Sequence, residues 1–454
     1  MARWAHVFLG LSERIFLRNN RLPQTIMNPI KRLLLIYQLE NYESWRFLRV
    51  IYSRPLILLG RDERKELVWT RKLFALSIMA GFLFAGLSSA LVLSGIPGVV
   101  WILGLIAGVV FLPVFFVVAN MLLYPIDRVL KHRIVAKARK RIESLHARGT
   151  KFIAIAGSYG KTSQKEILSH MLSSRLEVFA PSGTLNTPLG IAQAIASMEQ
   201  GSIPDIFIVE MGEHYRGDVA ELTQLIRPDI GIVTGITQQH LDRMGSIDTI
   251  IDTIFELPIG LGDQAIFYLD TADTHSRSGF SRHERAIRAR IHAVESHTIE
   301  DYRTLADFAG GEWTYDRIPL RTRLLGRHIV RPIAIAVEIA RSFGVPEADI
   351  ARTVADLPYV EHRLQVLRNG VSGVTVIDDS YNGNPESIRA AAQIMHDTAV
   401  SGRKILLTPG LVELGSESEA LHRGLGREIA DIYNLVLLID TPSSRALATG
   451  LADA

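Results

Sequence analysis

Gly157-Ser158-Tyr159-Gly160-Lys161-Thr162-Ser163 follows directly on the apolar run Phe152-Ile153-Ala154-Ile155-Ala156. It directly precedes a segment with Ile167, Leu168, Met171 and Leu172 at helical spacing. Strand, glycine-rich turn and helix N-terminus in that order form the arrangement that cradles nucleotide phosphate. Glycines let backbone N–H groups close around phosphate oxygens, and the helix dipole adds partial positive charge. Lys161 is placed to reach β/γ oxygens and Thr162 to offer its hydroxyl to Mg²⁺. Gly157, Ser158, Gly160, Lys161, Thr162 and Ser163 are therefore candidate nucleotide-binding residues, with Lys161 also a candidate catalytic group. The general form of this loop has a glycine five positions before the second one, where Ile155 stands here, so this is the compressed form Gly-x-x-Gly-Lys-Thr-Ser.

Outward from the loop, strand-like runs alternate with helical ones. Ile206-Phe207-Ile208-Val209 ends in Glu210, Asp229–Thr234 leads to His240, and Ala265–Leu269 ends in Asp270. The alternation predicts an α/β fold with a mostly parallel sheet. Ligands in such sheets lie beyond the carboxyl ends of the strands, which puts Glu210 and His240 on the same rim as the loop. A carboxylate there suits Mg²⁺, which takes few protein oxygens, whereas imidazole is a weaker match. Thr162, Glu210 and His240 are the candidate metal residues. Residues 273–316 are polar and arginine-rich, without clear period, and read as a peripheral elaboration. Helical periodicity returns over Pro332–Phe343, and after Leu357-Pro358 a second, smaller α/β domain is expected.

Charge divides the 454 residues unevenly. Residues 1–72 hold 14 Lys and Arg against 6 Asp and Glu, residues 127–151 hold 9 against 2, and residues 152–454 hold 27 against 39. From Leu73 to Ile126 there is no charged residue and no histidine. That run exceeds twice the ~20 residues of one membrane span. Ser94-Gly95-Ile96-Pro97-Gly98 breaks it, predicting a transmembrane hairpin over Leu73–Leu93 and Val99–Leu122. Basic residues at both outer ends place both in the cytoplasm by the positive-inside rule. The His6–Leu11 apolar stretch is too short for a cleavable signal peptide. The segments around Leu33–Tyr37 and Trp45–Ile51 fit a helix in the headgroup layer and equally a packed amphipathic helix. Residues 128–148 fit either a helix resting on anionic lipid or a solvated linker. The absence of cysteine excludes disulfides, thiolate metal sites and a thiol nucleophile. The acidic soluble region excludes a nucleic-acid surface.

Several further segments carry a family resemblance: Gly183-Thr-Leu-Asn-Thr-Pro-Leu-Gly190, Glu210-Met-Gly-Glu-His-Tyr-Arg-Gly-Asp218, His240-Leu241-Asp242, Gly326-Arg327-His328, His362-Arg363-Leu364 and Asp378-Asp-Ser-Tyr-Asn-Gly-Asn-Pro385. With the phosphate loop, in this order, residues 151–440 resemble the Mur ligases of peptidoglycan synthesis, most closely those of the MurF type. The resemblance implies a P-loop central domain over 151–357 and a Rossmann-like C-terminal domain over 358–454. Before them stand a basic membrane-proximal segment (1–72), a transmembrane hairpin (73–126) and a basic linker helix (127–150).

The resemblance also implies ATP and Mg²⁺, and activation of a carboxylate as an acyl phosphate that an amine then attacks. By it Lys161, Glu210, His240 and Arg363 are catalytic, and His328, Arg363 and Asp378 join the nucleotide site. Asn186, Thr187, Asp379, Asn382 and Asn384 shape the substrate site. The resemblance implies as partners a muropeptide-type acceptor, an amino acid or dipeptide donor and other cell-wall enzymes, and the uncharged run adds the cell membrane. Three departures stand out. No lysine occurs from Thr249 to Leu320, where many Mur ligases carry a carbamylated one, and Ile254 lies near that place. Two asparagines are missing from His328-Ile329-Val330-Arg331-Pro332. The chain ends at Ala454, so the C-terminal domain is expected to be a fragment or trimmed. The family's usual first domain has no counterpart here. The competing readings are a nucleotide-binding membrane scaffold without catalysis and a Mur-like ligase for another acid, folylpolyglutamate and cyanophycin chemistry being examples.

Overall fold

The computed structural model describes residues 29–40, 42–53, 67–93, 104, 108, 110–183, 185–199, 201–239, 241–294, 299–371, 373–381, 383–412 and 414–454. The expected hairpin turn at 94–98, the start of the second span, the 6–11 stretch, His240 and Asn382 lie outside them. The chain forms two compact units, Met1–His132 and Arg133–Ala454.

In the first unit, α1 (Pro29–Leu39), α2 (Ser44–Ser53), α3 (Arg71–Leu93) and the beginning of α4 (Leu112–Ala147) share one core. Tyr37, Phe47, Leu73, Leu76, Phe116 and Ala119 are buried in it, with the Tyr37 and Phe47 ring centroids 4.3 Å apart. Helices α3 and α4 are long and apolar enough to cross a membrane, by length and composition. Phe74, Phe82, Leu93 and Met121 are exposed along them. At the basic end Asp127 is 3.0 Å from both Lys72 and Lys131. The linker helix expected over 127–150 is the continuation of α4, which runs through Pro125 without a break. The shift from apolar to basic residues changes which solvent suits the helix and leaves its backbone intact.

The second unit is built on six parallel strands: β1 (Lys151–Ala156), β2 (Val178–Phe179), β3 (Ile206–Glu210), β4 (Ile230–Val233), β5 (Ile266–Asp270) and β6 (Arg290–Val294), in the order β2-β3-β1-β4-β5-β6. The chain winds to one side of β1 and then the other, so the loop after β1 sits at the topological switch point, where such sheets bind ligands. Alternation along β1 and β3 splits the core in two. Phe152, Ala154, Phe207 and Val209 face Ile250, Ile254 and Phe255 and the end of α4 at Ile142 and Leu145. Ile153, Ile155 and Ile208 face Ile167, Leu168 and Met171 and the residues Ile333, Val337 and Ala340.

The connecting helices are α5 (Lys161–Leu172), α6 (Pro188–Ser197), α7 (Asp218–Ile226), α8 (Leu241–Met244), α9 (Ile247–Gly260), α10 (Thr274–His283), α11 (Val330–Ser342) and α12 (Glu347–Ala355). Residues 273–316, expected as a peripheral elaboration, supply α10, the sixth strand of the main sheet, and part of a three-stranded antiparallel sheet. That sheet consists of β7 (Ile299–Thr304), β8 (Gly311–Tyr315) and β9 (Ile318–Thr322). Strand β6 is an edge with mostly exposed side chains, which is why its sequence lacks an apolar run.

The C-terminal part contains an antiparallel pair, β10 (Gln365–Asn369) with β11 (Val374–Asp378), and a parallel pair, β12 (Ile405–Thr408) with β13 (Leu435–Leu438). Helices α13 (Pro385–Asp397), α14 (Ser418–Ile429) and α15 (Pro442–Ala452) pack on them around Leu411, Leu425, Ile429 and Leu447.

Candidate active site

Four residues separate the end of β1 from the start of α5, and each is held. Gly157 has φ +146°, and a Cβ there would lie 2.1 Å from Thr234 Oγ1, so only glycine fits. The Ser158 and Tyr159 N–H groups donate to Gly235 O at 3.0 and 3.2 Å, and Thr234 Oγ1 donates to Tyr159 O at 2.6 Å. Tyr159 lies so close to Gly235 that an added Cβ would come within 1.9 Å of the ring. Burial, with Asp273, Glu386 and Asp270 pushing the same way, raises the Tyr159 hydroxyl well above the usual phenol range. The loop is thus clamped to the segment after β4. The first N–H groups of α5, which have no intrahelical acceptor, are left as the anion-binding end.

Two ion pairs set the electrostatics. Lys161 Nζ is 2.6 Å from Glu213 Oε1, with side chains only 13% and 4% exposed, and it also donates to Gly157 O. Thr162 Oγ1 donates to Glu210 Oε2 at 3.1 Å. The other carboxylate oxygen, Glu210 Oε1, is buried and accepts no aligned hydrogen bond, although Lys165 Nζ stands 3.0 Å away. Hydroxyl and carboxylate oxygens beside a phosphate loop are the donors a hard divalent cation takes, and Mg²⁺ needs few of them from protein. Among the described residues no group of three His, Asp or Glu gathers into a metal-sized cluster. Thr162 and Glu210 therefore fit Mg²⁺ bound together with a nucleotide.

Two cavities flank this centre. The first, about 360 Å³, has an apolar wall that includes Ile167, Leu324, Ile329, Leu364 and Ile394, and a polar rim that includes Ser163, His328, Arg363, Asp379 and Asn384. His328 lines this cavity with part of its surface open to water, and desolvation by the surrounding residues lowers its pKa to about 4. Burial pushes the Asp379 carboxyl upward, against the opposing Arg363 charge and the Leu364 N–H. The second cavity, about 300 Å³, is lined by Thr162, Glu166, Gly183, Tyr359, His362, Arg363 and Tyr381, among others. Arg363 lines both. Its guanidinium lies 4.7 Å from the centre of the Tyr381 ring, on a tight turn where His362 and Leu364 have φ +58° and +45°. His362 Nδ1 sits 2.6 Å from Asp378 Oδ2 and braces that turn. The Asp378 hydrogen bond raises the pKa of His362. Burial pushes Asp378 up, but hydrogen bonds from Ser380 and His362 outweigh it and lower its pKa.

Comparison with known proteins agrees with this arrangement. Residues 155–340 match the Mur ligase middle domain and residues 362–454 match the Mur ligase glutamate ligase domain. Residues 155–454 belong to the Mur ligase family. The UDP-N-acetylmuramoyl-tripeptide–D-alanyl-D-alanine ligase of Bacillus subtilis is 26% identical over 285 residues, 62% of this chain and 61% of that protein. The ligase of the same name from Mycobacterium bovis is 30% identical over 309 residues, 65% and 59% respectively. The chain thus spans about three fifths of the length of the curated relatives it matches. MurF from Acinetobacter baumannii superposes with TM-score 0.64 at 22% identity, covering 71% of this chain and 70% of that one. A Thermotoga maritima MurF ligase in complex with ADP gives 0.59 at 22%, covering 70% and 72%. These structures share the Mur ligase fold.

Within this Mur ligase frame the expected residues separate into groups. Gly157, Ser158, Gly160, Lys161, Thr162 and Ser163 form the loop and first turn of α5, and Glu210 meets them from β3. Ser158 Oγ is buried with no hydrogen-bond partner. His328, Arg363, Asp379 and Asn384 converge on the first cavity. Asn384 also caps α13, accepting from Ser387 N at 2.9 Å. Asp378, expected at the nucleotide, turns to His362 and lines neither cavity. Asn186 and Thr187 also line neither. Asn186 accepts Gly212 N–H through its backbone oxygen at 2.9 Å, and Thr187 caps α6 by accepting from Gly190 N at 3.1 Å.

Two departures from the family pattern now have a physical setting. Ile254 is fully buried among the apolar residues of α9. In the altered His328–Pro332 segment, Arg331 Nη1 reaches Asp270 Oδ1 at 2.5 Å and Val294 O at 3.3 Å, tying α11 to the ends of β5 and β6. Sequence reasoning missed Lys165 and Glu213. Lys165 carried a signal, since it stands one turn beyond Lys161 on the same helix face. Glu213 stood inside the Glu210–Asp218 segment, with no local pattern that pairs it with Lys161.

Proposed function

We propose that this chain is a membrane-anchored, ATP-dependent acid–amine ligase of the MurF kind, acting on a muropeptide-type acceptor with an amino acid or dipeptide as the amine. The observation that carries the reading is Arg363. It borders a cavity that reaches the phosphate loop on the Ser163 side and another that reaches it on the Thr162 side. One pocket for the nucleotide and one for the reacting acid and amine, with a single cation between them, is what transfer of a phosphoryl group to a carboxylate requires. Lys161, Thr162 and the α5 N-terminus hold the phosphates, and Thr162 and Glu210 would hold Mg²⁺, which spreads the developing negative charge. The carboxylate oxygen takes the γ-phosphoryl group to give an acyl phosphate and ADP. The amine then displaces phosphate and forms the amide. Positioning and charge neutralisation account for most of the acceleration.

The same reading takes residues 151–357 as the ATP-binding domain and 358–454 as the closing domain, with α3 and α4 as the membrane spans and both soluble domains in the cytoplasm. The names of the Bacillus and Mycobacterium relatives support the substrate class. A scaffold without catalysis draws its support from the altered His328–Pro332 segment, where Arg331 is bound to Asp270. Phosphate release by purified protein with ATP·Mg²⁺ and a panel of acceptor and amine pairs separates the two. The ligase releases phosphate only when acceptor and amine are both present. A scaffold gives no acceptor-dependent release.

A further inference from the structure

Lys165 is 1% exposed, and the chemistry above makes no use of it. Its ammonium donates to Pro181 O at 2.8 Å and Gly183 O at 3.1 Å. It also stands 3.0 Å from Glu210 Oε1 and 3.4 Å from Glu166 Oε1. A lysine is almost never fully buried unless paired, and burying the charge is costly even then. Methionine would fill the same space at no electrostatic cost, so packing alone does not explain the ammonium.

Its partners belong to two working parts. Glu210 ends β3 and takes the Thr162 hydroxyl on its other oxygen. Gly183, with φ +69°, lines the second cavity beside Thr162. The two directed bonds of the ammonium go to the carbonyls, and Glu210 is held by charge, its Oε1 facing Lys165 and its Oε2 facing Thr162.

We propose that Lys165 is a positioning residue that fixes the Glu210 carboxylate and the Pro181–Gly183 carbonyls in one rigid arrangement. The cation-binding oxygens and a wall of the second cavity are thereby set together. The part of this that concerns the cation rests on the ATP·Mg²⁺ reading, and the part that concerns the loop does not. Without the ammonium the carboxylate is free to rotate away from Thr162 and the two carbonyls lose their common donor.

The test uses full-length Lys165→Met and the double variant Lys165→Met/Glu210→Gln. The double variant leaves no unpaired buried carboxylate and so keeps the experiment open if the single variant does not fold. In nucleotide-free protein, hydrogen exchange in peptides covering Ser182 and Gly183 is expected to rise at least tenfold in the variants, with exchange in β1 and α11 unchanged. In addition, the gain in affinity for N-methylanthraniloyl-ADP on adding MgCl₂ is expected to shrink at least tenfold in Lys165→Met. Wild-type exchange at Ser182 and Gly183 in either variant overturns the proposal, as does an undiminished MgCl₂ gain in Lys165→Met. If wild-type protein shows no MgCl₂ gain, the ATP·Mg²⁺ reading falls and the exchange result alone decides the role of Lys165.

Discussion

Thr162 Oγ1 donates to Glu210 Oε2 at 3.1 Å across 48 residues of sequence, so the first turn of α5 and the end of β3 present their oxygens to one point. Thr162→Ala removes one of those oxygens at a half-buried position and creates no cavity of consequence. We expect a loss of roughly 10²–10³ in acceptor-dependent phosphate release and a loss of stability of about 1–3 kcal/mol, because the buried Glu210 carboxylate loses its directed donor. Wild-type turnover in this variant would remove Thr162 from the site.

The pair between Lys161 and Glu213 is a full ion pair, and Glu213 is almost wholly buried. Lys161→Ala strands that carboxylate, and breaking such a pair costs about 3–5 kcal/mol. Urea unfolding should show a loss of that order for Lys161→Ala and recovery of most of it in Lys161→Ala/Glu213→Gln, with both variants inactive. Equal stability of wild type and Lys161→Ala would mean that the pair contributes nothing to the fold.

Much of this was legible in the sequence, and the reason differs from part to part. The strand, glycine turn and helix at 152–172 announce themselves because only glycine fits at 157, the positive φ at 160 favours glycine, and the flanking residues are buried on both sides of the sheet. The length and apolar character of α3 and of the beginning of α4 follow from an uncharged run. What was not legible has two sources. Strand β6 is a short edge, Arg290–Val294, whose mostly exposed side chains form no apolar run, and it joins the sheet only through pairing with β5. Long-range pairings such as Lys161 with Glu213, Arg331 with Asp270 and His362 with Asp378 depend on where separate strands end, which no local pattern encodes.

His328 at the first cavity and His362 at the second have pKa values displaced in opposite directions. His328, lowered to about 4, stays neutral at neutral pH. As pH falls below its unfolded value near 6.5 the unfolded chain gains a proton that the folded one refuses, so its contribution to stability is lost toward acid. His362, raised by Asp378, contributes stability below its unfolded value and loses it as pH rises through the folded one. Imidazole titration by NMR is expected to give midpoints on opposite sides of about 6.5, with that of His362 falling in Asp378→Asn. Two midpoints near the ordinary value would contradict the description of the pocket.

The apolar helices make a cellular prediction. The full chain should sediment with membranes and resist carbonate extraction, and a cysteine placed at Gly95 should react with an impermeant maleimide while cysteines near either terminus do not. Release by carbonate would remove the anchor from the proposal and leave the ligase chemistry untouched.

The central claim is that ATP activates a carboxylate before the amine attacks, and the path of one oxygen atom tests it most directly. An acceptor labelled with ¹⁸O in its reacting carboxylate is incubated with full-length protein, ATP·Mg²⁺ and the amine, and the released phosphate is weighed by mass spectrometry. An acyl-phosphate route leaves one carboxylate oxygen on the phosphate, so one ¹⁸O per phosphate is expected. Unlabelled phosphate accompanying amide formation would contradict the account.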